Sequence, residues 1–339
     1  MKRSLKWHKS SWLAMVLLFA LALTACGTNG GGNAAAGSNA ETKQEGNAAG
    51  NNTAAGNAAD NAGDAKTVYP LTLKDSTGTD VTFDKAPAKI ATLVPSETEA
   101  VYAVGAGDRI VGVDDYSDYP EEAKTKPKLG DMNINLEAVV AAKPDVVFAH
   151  SSIQSKVIEE LRGLNVKVFA SDPKSVDEVI AKIDTVGQIL DLQAGAKQVT
   201  DQMKAEKQQV VDALKGTPLK KVYMEFSPGW TVGSGEYMDE LVTLAGGDNV
   251  GKAKAGWYEI DPEAIIKANP EVILYAKDDE YLKNSIYDGI IKRPGFKEIG
   301  AVKNGQVFPL DNNMISRVGP RLTKVLLDMA KAIHPDLVK

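Results

Sequence analysis

His150 stands directly after the apolar run DVVFA, and apart from His334 near the C-terminus it is the only histidine beyond residue 25. A neutral imidazole at the end of a buried strand can ligate a metal or move a proton. It can equally be a structural residue satisfied by its neighbours. Aromatic residues occupy comparable places. Tyr116 lies in DDYSDYP after RIVGV, Phe226 closes VYMEF with Trp230 just beyond it, and Trp257 and Tyr258 lie in AGWYE. Asn313, Arg317 and Arg321 fall in DNNMISRVGPR after VFPL. Aromatic side chains on loops at strand ends suit a flat, apolar or conjugated ligand. They also suit packing against their own lobe, and Arg317 also suits a helix cap or a surface ion pair.

The charges in these loops narrow the choice. Arg317, Arg321 and Lys277 stand against Asp114, Asp115, Asp131, Asp278 and Asp279. A compact polyanion needs several cations around it, so an excess of acid disfavours one. Covalent catalysis is poorly supported. The single cysteine is Cys26, and the sequence has no nucleophile elbow and no Gly-rich phosphate loop after a strand. A hydrolase built on His150 and a nearby carboxylate is therefore the weaker reading, and no catalytic residue, resident metal or cofactor is assigned. The formal net charge of −6 argues against nucleic acid as a partner.

Loops of this kind need strands and helices to aim them. The segment NLEAVVAAKPDVVFA begins at Asn135, and DPEAIIKANPEVILYA begins at Asp261. Each reads as a capping residue, a short helix carrying Glu137 or Glu263 in its first turn, a proline stop and a buried strand. The spacing predicts a hairpin around Gly78, a helix begun by a capping box of Ser96 with Glu99, and another begun by Ser175 with Glu178. Between Gln193 and Leu214, Ala196, Val199, Met203, Val210 and Leu214 recur on one face of a long polar helix. A narrow apolar stripe suits a bridge between lobes better than a core. Strands alternate with helices on both sides of it, so the fold class is α/β: two lobes with mostly parallel sheets joined by one long helix.

The start of the chain is of another kind. MKRSLKWHKSSWLAMVLLFALALTAC is basic, then apolar, then small before a cysteine. It reads as a secretory signal, and LTAC followed by Gly27 resembles the lipobox of bacterial lipoproteins. Gly, Asn and Ala then dominate to about Lys66, a composition that cannot bury a core. The expected organisation is a signal at 1–25, lipidated Cys26 with a flexible tether at 26–66, an N-terminal lobe at 67–192, a connecting helix at 193–215 and a C-terminal lobe at 216–339.

From about Tyr69 to the end, the sequence resembles the solute-binding proteins of bacterial ABC importers for metal chelates: cobalamin, iron–siderophore complexes and haem. The pieces that carry the likeness are LVPSETEAVYAVGAGDRIVGVDDYSDYP, LEAVVAAKPDVVFA, AGGDNV, DPEAIIKANPEVIL and SRVGPR. The resemblance implies a helical-backbone periplasmic-binding-protein fold, a monomer anchored to the extracytoplasmic face of the cell membrane, and a small-molecule chelate held in the cleft with little lobe motion. It also implies that Glu137 and Glu263 dock to a two-fold permease dimer. DDYSDYP leans toward the cobalamin-binding branch, in which the positions of Tyr116, Phe226 and Trp257 line the corrinoid pocket and that of Arg317 reaches a polar edge. The sequence departs from that branch at Asp131 and His150, where the cobalamin binders carry bulky aromatics. A ferric hydroxamate siderophore or haem is the alternative cargo.

Overall fold

The computed structural model describes residues 66–277 and 285–338. The expected signal, Cys26 and the tether up to residue 65 lie outside the described residues, as do Asp278 and Asp279.

An antiparallel hairpin of β1 (Leu71–Lys74) and β2 (Asp80–Phe83) opens the described chain. The first lobe continues with β3 (Ile90–Thr92), α1 (Pro95–Ala103), β4 (Ile110–Val113), α2 (Leu136–Ala142), β5 (Val146–His150), α3 (Ser151–Gly163), β6 (Val168–Ser171) and α4 (Val176–Leu190). The long helix α5 (Gln193–Ala213) follows. The second lobe holds β7 (Lys220–Glu225), β8 (Trp230–Val232), α6 (Tyr237–Leu244), β9 (Gly247–Asn249), β10 (Trp257–Glu259), α7 (Pro262–Ala268) and β11 (Val272–Lys277). It ends with α8 (Ser285–Lys292), α9 (Gly300–Lys303), β12 (Val307–Asp311), α10 (Asn312–Ile315) and α11 (Leu322–Ile333).

Both lobes solve the same packing problem in the same way. One sheet runs β4-β3-β5-β6 and the other β12-β11-β7-β9, and every pair within them is parallel. In each, the sheet's own first strand (β3 or β7) lies between its second (β4 or β9) and its third (β5 or β11). Runs such as Val146-Val147-Phe148-Ala149 are buried on both faces, as parallel strands covered by helices must be. Val146 and Phe148 face one apolar cluster, and Val147 and Ala149 face a smaller one with Leu129, Ile158 and Leu161.

The repeated segment occupies the same topological step in both lobes: the helix that enters the third strand. Asn135 accepts from the Ala138 amide at 3.0 Å, and Asp261 accepts from the amides of Glu263 and Ala264. Both helices span seven residues, and both end on a left-handed residue, Lys143 or Asn269, each at φ 49°. The likeness reaches further upstream than the helices. Gly130 and Gly256 both have positive φ, and Ile134 and Ile260 follow each by four positions. A side chain at Gly130 would stand 2.6 Å from the Asn133 carbonyl, so the turn there requires glycine.

α5 buries Ala196, Thr200, Met203 and Val210 and packs against α4 on one side and α11 on the other. Through it, a single apolar cluster runs from Phe83 and Phe148, by way of Val179 and Ile183, to Val222, Ile273 and Leu326. A shared core of this extent resists independent motion of the lobes.

One expected cap is absent. α1 begins at Pro95, one residue before Ser96, and its N-cap Val94 offers no side-chain hydrogen bond. Ser96 and Glu99 are buried inside the structure instead. The proline sets the helical φ at the first position, and Glu99 is drawn to arginines from the other lobe, described below.

Candidate functional site

Ligands in open parallel sheets gather beyond the carboxyl ends of the strands, where the strand order reverses. Here the carboxyl ends of β3, β4, β5 and β6 and of β7 and β12 contribute to one cleft of about 520 Å³. A larger hollow of about 680 Å³ lies outside α4 and α5, lined by residues such as Leu71, Asp184, Lys197 and Lys204 and by no carboxyl end of a strand.

The N-terminal wall carries Tyr116, Asp131 and His150. Gln154 fixes the switch point behind His150. Its Oε1 accepts from the His150 amide at 3.0 Å, and its Nε2 donates to the Leu93 carbonyl at 2.8 Å. These two bonds tie the ends of β5 and β3 together. Gln154 leaves helical geometry inside α3 (φ −127°) to make them. The His150 ring lies 3.2 Å (Nδ1) from Ser152 Oγ and 3.6 Å (Nε2) from Asp172 Oδ1, while Ser152 Oγ also reaches Asp172 Oδ1 at 3.2 Å.

Burial pushes the His150 imidazole below its ordinary value of 6.5, opposed by the nearby carboxylates of Glu97 and Asp172. The folded ring is therefore neutral at pH 7, while the unfolded ring protonates near 6.5. Stability from this site is fully present above the unfolded value and is lost as pH falls through 6.5 toward the depressed folded value. His150→Gln is expected to flatten the fall in melting temperature between about pH 7.5 and about pH 5, and an unchanged slope would contradict it.

The C-terminal wall is aromatic. The Phe226 and Trp257 ring centroids lie 5.0 Å apart, and Tyr237 stands 6.3 Å from Trp257. Tyr237 is fixed by donating to the Ile315 carbonyl at 2.8 Å. Two expected ligand contacts are not part of this wall. Tyr258 follows Trp257 on β10, and successive side chains on a strand point to opposite faces, so it turns away from the cleft. Its hydroxyl donates to the Gly251 carbonyl at 2.6 Å. Trp230 pairs with Glu259 at the far end of the β8–β10 ribbon and is 45% exposed. His334 is likewise structural, buried with Nε2 3.1 Å from the Gly246 carbonyl.

Replacing Trp257 with alanine removes the indole from this cluster without opening the lobe core, because the residue is 37% exposed. Loss of a buried aromatic contact on binding costs on the order of 1–3 kcal/mol, roughly ten- to hundred-fold in affinity. Trp257→Ala is therefore expected to weaken ligand binding to that extent with an intact melting transition. Unchanged affinity would assign Trp257 to the packing of its own lobe.

Arg317 and Asn313 line the cleft, but the guanidinium of Arg317 is already engaged. It donates to Glu99 Oε1 at 3.0 Å, Asp118 Oδ1 at 2.7 Å, Asn313 Oδ1 at 3.2 Å and the Tyr116 carbonyl at 3.3 Å. Arg321 meets the same Glu99 through two bonds, of 2.9 and 2.6 Å, and lies 4.1 Å over the Tyr119 ring. Arg317 thus ties the lobes together and holds the Tyr116 loop, which is a different task from the ligand contact expected of it. Lys182 makes a second buried tie, donating to Glu97 at 2.9 Å and to the Val318 carbonyl at 2.8 Å.

Sequence reasoning missed these ties, and it missed Asp172, Lys174 and Glu236 in the cleft. Lys174 lies 3.3 Å from both Asp172 and Glu236, so its charge is shared between two acids. The signal for Asp172 and Lys174 was present, because they follow β6 as His150 follows β5. Of the charged loop residues weighed from sequence, Asp114, Asp131 and Arg317 line the cleft, whereas Asp115, Lys277 and Arg321 do not. Asp114 is buried and bonded to Ser117 and to the Tyr116 amide. Burial raises its carboxyl above the usual range.

Glu137 and Glu263 are both exposed in the first turns of α2 and α7. They lie outside the cleft, at equivalent steps of the two lobes.

Residues 90–314 match the periplasmic binding protein family. With that span matched, and with two parallel-sheet lobes closing on one cleft, this chain belongs to that family. It is 35% identical over 282 residues to the uncharacterized ABC transporter substrate-binding lipoprotein YvrC of Bacillus subtilis (strain 168), covering 80% of this chain and 88% of that one. It is 25% identical over 275 residues to a cobalamin-binding protein of Halobacterium salinarum, covering 78% and 74% respectively. Among solved structures, a possible iron-binding (periplasmic solute-binding) protein from Staphylococcus epidermidis ATCC 12228 superposes with a TM-score of 0.65 at 32% identity, over 74% of this chain and 100% of that one.

Proposed function

We propose that this chain is an extracytoplasmic substrate-binding lipoprotein that captures a metal chelate, cobalamin or a related corrinoid first among them, and delivers it to an ABC importer. The observation that carries the reading is the pairing of an aromatic wall (Phe226, Tyr237 and Trp257) with cleft cations that are already engaged by protein acids. A large, conjugated, mostly apolar chelate gains from the rings and needs no free cation. A trianionic catecholate complex would have to compete with Glu99, Asp118, Asp172 and Glu236 for Arg317 and Lys174. Hydroxamate complexes carry less charge, and with haem they form the second reading; the His150 imidazole on the opposite wall favours haem, whose iron has an open axial position.

The kinship with YvrC supports the lipoprotein and importer parts of the proposal. Cys26 is the proposed lipidation site, and Glu137 and Glu263 the proposed contacts with a permease dimer. Hydrolysis is disfavoured by geometry. A nucleophile–base–acid relay needs the serine hydroxyl to deliver its proton to the imidazole, whereas Ser152 Oγ donates to Asp172 Oδ1 at 3.2 Å, the same carboxylate that faces Nε2 of His150.

The test is the visible spectrum of the protein after incubation with cobalamin, haem or ferric hydroxamates and removal of free ligand. Retention of a corrinoid spectrum is expected. Retention of none of these chromophores would contradict the chelate reading.

A further inference from the structure

The internal duplication carries a consequence for selectivity. A constant offset of 126 positions relates Gly130, Ile134, Glu137 and Pro144 to Gly256, Ile260, Glu263 and Pro270. Both glycines have positive φ, and Ile134 and Ile260 both pack inward against their own lobes. The residue after each glycine is Asp131 in one lobe and Trp257 in the other, and both line the cleft. Two equivalent positions thus contribute to the two walls, one with an indole and one with a carboxylate.

The carboxylate of Asp131 differs from the other acids of the cleft. Asp114 is bonded to Ser117 and the Tyr116 amide, Asp172 lies against Ser152 and Lys174, and Glu236 lies against Lys174. Asp131 Oδ1 accepts from the Asn133 amide at 2.8 Å and from Asn133 Nδ2 at 3.4 Å. Among the described residues, its Oδ2 accepts no hydrogen bond, and no lysine, arginine or histidine lies within ion-pair distance of it. The local turn fixes one oxygen, and the other is left without a protein partner on an exposed residue at the cleft lining, where the cations are already paired.

We propose that Asp131 is the specificity determinant of the cleft, accepting from an N–H donor (a side amide or an ammonium group) on the bound chelate and thereby selecting neutral or cationic chelates over anionic ones. The proposal rests on the chelate-binding reading above. It does not depend on which chelate is the natural cargo.

Asp131→Asn keeps an oxygen for the Asn133 amide, so the turn is retained, and replaces the free Oδ2 acceptor with an uncharged NH2 donor. The probes are cyanocobalamin and its monocarboxylic derivatives, in which one side amide has become a carboxylate. The wild-type protein is expected to bind the derivative altered at the contacted amide about tenfold more weakly than cyanocobalamin, as loss of a hydrogen bond to a charged group predicts. In Asp131→Asn that penalty should largely vanish.

If no corrinoid binds, the corrinoid assignment fails and the same question passes to a second pair. Ferrioxamine B, with its ammonium tail, should bind the wild-type protein about tenfold more tightly than its N-acetylated form, and Asp131→Asn should lose the preference. Equal preferences in wild type and variant overturn the role of Asp131 while leaving chelate binding intact. A tight complex with haem or a ferric catecholate that the variant does not tighten overturns it as well. Failure of every one of these chelates to bind sinks both readings.

Discussion

Reversing the charge at both Glu137 and Glu263 is expected to abolish uptake and leave chelate affinity unchanged. The two residues are exposed, outside the cleft, and at equivalent steps of two lobes with the same strand order. A permease with two-fold symmetry presents two equivalent sites, and a duplicated protein can offer one carboxylate to each. Truncating one partner of a desolvated charge pair costs about 2–5 kcal/mol, and reversal adds repulsion. Either single reversal should hurt less than the double. As plain first-turn acids, each would stabilise its helix by only about 0.3–1 kcal/mol, so the fold should survive the change. Uptake into cells, measured beside the dissociation constant of the purified variant, separates the two roles. Normal uptake by the double variant would reduce both residues to helix-dipole acids.

The second large effect is on stability. Glu99→Ala strips the shared partner from Arg317 and Arg321, whose side chains are 7% and 15% exposed. Removing one member of a buried ion cluster leaves unpaired charge behind, at a cost of about 3–5 kcal/mol. For a folded part of this size, that corresponds to a fall in melting temperature of roughly 6 to 20 °C. Binding should weaken too, because Arg317 also holds the carbonyl of Tyr116. Asp118→Ala should cost far less, since that carboxylate is 41% exposed and water replaces it. Combining Glu99→Leu with Arg317→Met and Arg321→Met should recover most of the lost stability while loosening the Tyr116 loop. A wild-type melting temperature in Glu99→Ala would show that the cluster does not hold the lobes together.

The parts of this molecule legible in the sequence were those fixed by local rules. Asn135 and Asp261 cap their helices because a short acceptor in that place satisfies free amides, and the prolines after them stop the helices. The stripe from Ala196 to Leu214 marked a long helix because its period is 3.6, and placing ligands at strand ends brought Tyr116, His150, Phe226, Trp257, Asn313 and Arg317 to one cleft. The failures have non-local causes. Glu99 looked like half of a capping box, but its partner Arg317 lies 218 residues away. That same partnership makes Arg317 a tie between lobes as well as a residue of the cleft lining. Trp257 and Tyr258 were read together, although strand alternation allows only one of two neighbours to face the cleft. Asp172 and Lys174 are legible by the strand-end rule, since they directly follow β6.

The most direct test of the central claim is titration of the purified protein with cyanocobalamin, followed by tryptophan fluorescence and calorimetry. With Trp257 beside Phe226 on the cleft wall, a bound corrinoid is expected to quench the emission and form a 1:1 complex with a dissociation constant below about 1 μM. Failure to bind at that level, with a ferric hydroxamate binding in its place, would contradict the corrinoid assignment.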